Sequence, residues 1–168
     1  MCFKYLKKVS SQKMLMIILL ISAVILALAY IMEHFFDIHP CQMCLYERNV
    51  FIGTAGIAFV SLISLPEHSK YYAIMALGFI FMGGAFLAGY HVAIQQHWIA
   101  LPAFCSSTDL SSLDSVQALK EQLLQTPFVR CDQVTWSFLG LSLAAYNALI
   151  CLFTSLLCWK WVCKHKYK

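Results

Sequence analysis

With 61% hydrophobic and only 12% charged residues over 168 positions, and a mean hydropathy of +0.71, this chain lies far outside the water-soluble range. The composition excludes a soluble globular domain, and the net charge of +4 has to be read as topology before it is read as affinity for nucleic acid. Residues 1–168 amount to one domain's worth of chain, so they read as a single integral membrane domain with little left over for a soluble core.

Roughly 20 mostly apolar residues cross about 30 Å of hydrocarbon, and four segments reach that length. They are 14–32, 45–65, 71–94 and 136–159. The basic start, the first apolar run and Ala27-Leu28-Ala29 together also have the form of a cleavable signal peptide. The run continues through Tyr30, Ile31 and Met32, however, which favours a retained span. His39-Pro40 breaks the chain before the second span and Leu65-Pro66-Glu67-His68 after it. A long polar loop, 95–135, separates the third span from the fourth. Within it, Ser111 and Asp114 have capping-box spacing, with Asp where Glu or Gln is usual, and Leu113, Val116, Leu119 and Leu123 recur at helical intervals. A short amphipathic helix is expected there, lying on the membrane surface or packed on the loop itself. The expected fold class is therefore an all-α membrane protein, a four-transmembrane-helix bundle with one long external loop.

Lys4, Lys7, Lys8 and Lys13 precede the first span, Lys70 follows the second, and Lys160, Lys164, Lys166 and Lys168 follow the fourth. The other side carries only Arg48, Lys120 and Arg130, among seven acidic residues from Glu33 to Asp132. Positive flanks stay in the cytoplasm, so both termini are expected there and the loop outside.

Eight cysteines divide by this topology. Cys41, Cys44, Cys105 and Cys131 lie where disulfides persist, whereas Cys2 and Cys163 sit in basic tails and Cys151 and Cys158 inside the fourth span, where cysteine acts as a small hydrophobe. In Cys41-Gln42-Met43-Cys44 the spacing puts two thiols on one face at a helix start after Pro40, near the positive end of the dipole, with Arg48 a turn further on. Both effects favour a thiolate at Cys44, and Glu47 opposes them unless it turns to water or pairs with Arg48. Haem attachment is excluded by Leu45 in place of His; a zinc site using Cys41, Cys44, His39 and a loop cysteine, or a static bridge, are the competing readings. Arg48 alone would read as a snorkelling residue, but its place on the side where cations are scarce favours a functional role. His91, with Tyr90 near the outer end of the third span, is an ionisable intramembrane group and a functional candidate. Gly53-x-x-Gly56 and Gly83-Gly84 read as close helix packing.

Pro40-Cys41-x-x-Cys44-x-Tyr46-Glu47-Arg48, the late-loop Cys131 and Trp136-Ser137-Phe138-Leu139-Gly140-Leu141 together resemble the DsbB family, over nearly the whole chain. The resemblance implies a bacterial inner-membrane thiol:quinone oxidoreductase whose loop faces the periplasm. It implies that a reduced periplasmic DsbA-like thioredoxin-fold partner attacks at Cys105, releasing Cys131. Cys131 then attacks Cys41 and frees Cys44 to pass electrons to a quinone, ubiquinone or menaquinone. Cys41, Cys44, Cys105 and Cys131 are thereby the catalytic residues and Arg48 and His91 the cofactor-binding ones, with no metal. The expected resting pairs are Cys41 with Cys44 and Cys105 with Cys131. A DsbI-type oxidase dedicated to one partner, or a four-span scaffold with structural disulfides, are the alternatives.

Overall fold

A computed structural model describes residues 9–102, 105 and 129–165. Four long helices dominate the described residues: α1 (Ser11–Phe35), α2 (Gln42–Ser64), α3 (Glu67–Gln95) and α4 (Leu143–His165). Of these, α1, α3 and α4 are long and apolar enough to cross a membrane. The start of α2 is more polar, carrying Gln42, Glu47, Arg48 and Asn49. The amphipathic helix expected around Ser111–Gln125 lies outside the described residues.

The helix starts follow local chemistry. Ser10 caps α1 by accepting from Lys13 N, and Pro66 ends the short link from α2 to α3. Cys41 caps α2, its Sγ accepting from Cys44 N at 3.4 Å, so the helix opens one residue later than Pro40 would place it. Among the described residues, three other than glycine take the left-handed backbone, Asp37, His97 and Leu139.

The last helix starts later than the 136–159 segment suggests: α4 begins at Leu143, because the apolar stretch Trp136–Leu141 folds back instead of continuing the helix. Ser137–Phe138 (β1) pairs antiparallel with Leu141–Ser142 (β2). The two residues between them, Leu139 and Gly140, have φ of 49° and 78°, the mirror-image turn that closes a two-residue hairpin. Tyr146 donates its hydroxyl to Phe138 O at 3.0 Å, and Ser142 Oγ accepts from Ala145 N, fastening the hairpin to the start of α4.

Large apolar side chains such as Phe59, Ile63, Phe79, Phe86 and Phe153 point outward, the pattern of a bundle solvated by lipid. Packing inside relies on small contacts. A Cβ at Gly84 would stand 3.0 Å from Val50 Cγ1 and 3.3 Å from Cys151 Sγ, and one at Gly78 would stand 3.1 Å from Cys158 Cβ. These glycines let α3 approach α4, and the two span-four cysteines are the small apolar groups that meet them. Gly53 and Gly56 have open space beside them, so that pair does not serve close packing. Polar side chains inside the bundle are bonded: Ser22 to Thr54 at 3.1 Å, and Ser155 to Gly78 O at 2.9 Å.

Candidate functional site

One end of the bundle gathers nearly every polar residue of interest. Cys41 and Cys44 lie at the cap and first turn of α2 with their sulfurs 3.0 Å apart, as the three-residue helical spacing requires. Both are free thiols in this structure, whereas Cys105 and Cys131 are joined. The loop disulfide packs with Cys41, Met43 and Ile94 into one apolar cluster, so both cysteine pairs share a single buried patch. Beside it, Arg130 and Asp132 make a two-pronged ion pair at 3.0 and 2.6 Å that flanks Cys131. The guanidinium holds the Asp132 carboxyl below the usual carboxylate range. The Cys41 thiol is likewise held well below its ordinary range, first by the hydrogen bond from Cys44 and then by His91, against the opposing effect of burial.

His91 on α3 is fully buried, with Nε2 3.5 Å from Cys41 Sγ and Nδ1 2.7 Å from Glu47 Oε1. Glu47 turns neither to water nor to Arg48. It points inward, where its second oxygen accepts from Asn147 Nδ2 on α4. The carboxylate thus joins three helices. Arg48 goes the other way: Nη1 lies 2.7 Å from Glu33 Oε2 on α1, and the guanidinium carbon stands 4.7 Å from the centre of the Tyr30 ring.

Between α1, α2, α4 and the hairpin lies a cavity of about 450 Å³. Its walls are mostly aliphatic and aromatic, with Cys44, Glu47, Arg48 and Asn147, and also His39, Thr135 and Tyr146, among the polar residues. Asn147 Oδ1 is buried and has no hydrogen-bond partner among the described residues. Cys41 lies outside this wall, whereas Cys44, which also packs against the loop-disulfide cluster, lines the cavity.

Of the residues singled out from sequence, the structure brings together Cys41, Cys44, Cys105, Cys131 and His91, and it places Arg48 on the cavity wall. His91 is not on that wall; it touches the dithiol instead. His39, considered as a zinc donor, bonds back to Asp37 O at 3.2 Å, and the loop cysteines a four-ligand site would draw on are joined to each other. Glu47 and Asn147 were missed as site residues. The available signal was an ionisable or amide side chain inside an otherwise apolar span, which is costly unless it is used.

The sequence of the chain matches known proteins. The family model for disulfide bond formation protein DsbB covers residues 11–161. The chain belongs to the DsbB family. A disulfide bond formation protein B of Marinobacter nauticus is 32% identical over 141 residues, covering 79% of this chain and 80% of that one. The namesake from Stutzerimonas stutzeri is 29% identical over 157 residues, 89% of this chain and 93% of its own length. An uncharacterised protein of Rickettsia prowazekii is 30% identical over 155 residues, 90% and 89% of the two chains. As a DsbB-family chain it is a membrane protein of disulfide bond formation, and a disulfide oxidoreductase role follows for it.

Proposed function

We propose that this protein is an inner-membrane thiol:quinone oxidoreductase that reoxidises a periplasmic DsbA-type dithiol oxidase. In this reading α2 crosses the membrane as well, giving four spans, both termini are cytoplasmic and the redox cysteines face the periplasm. The observation that carries it is the dithiol's position between the loop disulfide, against which both its cysteines pack, and an apolar cavity that Cys44 lines. Thiols enter on one side and a lipid-soluble oxidant on the other.

The chemistry of the chain's own residues follows. A reduced thioredoxin-fold partner attacks Cys105 and releases Cys131 as a thiolate. Packed in the same cluster as Cys41, Cys131 needs little travel to attack it, and the oxidised Cys41–Cys44 pair opens with Cys44 as the leaving sulfur. The partner's second thiol then displaces Cys105, which re-forms its bond to Cys131 and frees Cys41, so the partner leaves oxidised and the electron pair rests on the Cys41/Cys44 dithiol, with Cys44 at the cavity wall. The cavity fits a quinone: its volume is within the usual range for small-molecule sites, and its walls are mostly apolar with Arg48 among their polar residues. A quinone bound there supplies the two-electron acceptor and leaves as quinol. Arg48 has five N–H donors, so it can hold Glu33 and still donate to a carbonyl in the cavity.

The test is quinone reduction by the purified protein, supplied with a reduced DsbA-type partner, comparing wild type with Cys44→Ser and Cys105→Ser. Turnover lost in both variants establishes the relay. Intact disulfides without wild-type turnover on ubiquinone or menaquinone would overturn it in favour of a dedicated-partner or structural role.

A further inference from the structure

Glu47 has no part in the thiol exchange above, yet it is buried and bonded on both sides. A buried carboxylate is costly, and a well-packed apolar residue in its place is often no less stable. Its surroundings form a continuous chain. His91 Nε2 lies 3.5 Å from Cys41 Sγ, His91 Nδ1 lies 2.7 Å from Glu47 Oε1, and Glu47 Oε2 accepts from Asn147 Nδ2. The chain begins at Cys41, outside the cavity wall, and ends at Glu47 and Asn147, which are part of it.

Oxidation of the dithiol must release two protons with two electrons. Cys44 lies on the cavity wall, while Cys41 is off it and buried against the loop disulfide. We propose that His91 and Glu47 carry the Cys41 proton to the cavity, with Asn147 as the residue that positions the carboxylate. This rests on the thiol:quinone reading. The balance is as follows: the two S–H bonds break and one S–S bond forms, two electrons pass to a quinone, and two protons complete the quinol. The Cys41 proton goes to His91 Nε2 while the Nδ1 proton passes to Glu47, which gives it up at the cavity. Imidazole suits this step because it takes a proton on one nitrogen and releases one from the other. Cys44 stands beside Cys41, and His91 from α3 faces both ends of the path. Cys151 of α4 is within electrostatic reach of Glu47, and Arg48 is turned away to Glu33.

The test uses the full-length, reduced, quinone-free protein and reads protons by infrared spectroscopy. The S–H stretch of Cys41, assigned by its loss in Cys41→Ser, is titrated with pH, and reduced-minus-oxidised spectra are recorded in the carboxyl region. Glu47→Gln is expected to move the disappearance of the Cys41 S–H stretch to higher pH, about a tenfold change in proton affinity. It should also abolish a carboxyl difference band. Asn147→Leu is expected to shift that band without removing it. An unchanged titration and an unchanged band in Glu47→Gln would overturn the path. Should Glu47→Gln fail to fold, an unmoved band in Asn147→Leu refutes it equally. Wild-type turnover with quinone is a separate measurement, so the path can fail while the oxidoreductase reading stands.

Discussion

Glu33→Gln should speed the alkylation of Cys44, although Glu33 is on another helix. Arg48 Nη1 lies 2.7 Å from Glu33 Oε2, with the two side chains only 13% and 28% exposed. The cation one turn beyond Cys44, about 6 Å along the helix axis, is therefore matched by a carboxylate. Removing the carboxylate leaves a unit positive charge on the wall that Cys44 shares. At a separation of about 8 Å and an effective dielectric of about 20, that charge favours a thiolate by about 2 kcal/mol. Water and salt at the cavity mouth cut this to about 1 kcal/mol, a fivefold rate change. The assay is iodoacetamide modification of Cys44 in a reduced Cys41→Ser background at fixed pH and salt, since the thiolate is the reacting form. Glu33→Gln should be about fivefold faster and Arg48→Ala about fivefold slower, with the double variant close to the starting protein. A double variant as slow as Arg48→Ala would show that the cation acts on Cys44 regardless of Glu33, and would refute the argument.

Helix packing gives a second expectation. Gly84→Val should destabilise the protein by about 2 kcal/mol, because the added atoms meet Val50 and Cys151. Gly53→Ala, with open space around it, should be neutral or stabilising by up to about 1 kcal/mol. Thermal unfolding in detergent separates the two. The loop makes a pH prediction through Asp132, whose carboxyl is held low by Arg130. A depressed carboxylate keeps its ion pair down through the ordinary carboxylate range and loses it only below that. Phosphine reduction of Cys105–Cys131 should therefore be flat from about pH 8 to about pH 5 and rise only in stronger acid. A rise beginning near neutrality would contradict the role of that pair.

Three helix positions and the proximity of the first cysteine pair were legible in the sequence because they depend on local periodicity. Fifteen or more apolar residues in register and a three-residue thiol spacing need no knowledge of neighbours. The start of α4 was not legible, since Trp136, Phe138, Leu139 and Leu141 count as apolar whether they extend a helix or fold into a hairpin. Only Gly140 hinted at the turn, and Leu139 takes a positive φ that its type rarely adopts. The directions of Glu47 and Arg48 were hidden for a different reason. They are adjacent in sequence, but one is decided by His91 and Asn147 and the other by Glu33 and Tyr30, residues brought together only by the bundle. The amide of Asn147 lay inside an apolar run, where its polarity was averaged away by the window that identified the span.

The loop disulfide described above is also an insulator. Cys105 and Cys131 are buried, and together with Met43 and Ile94 they cover Cys41, which is itself only 5% exposed. Exchange with a dissolved thiol requires that the attacking sulfur reach its target, so this cover shields Cys41 from small reductants on the loop side, while Cys44 stays open to the cavity. In the proposed relay, breaking the Cys105–Cys131 bond is also what uncovers Cys41, so docking of the thiol partner becomes the condition for current to flow.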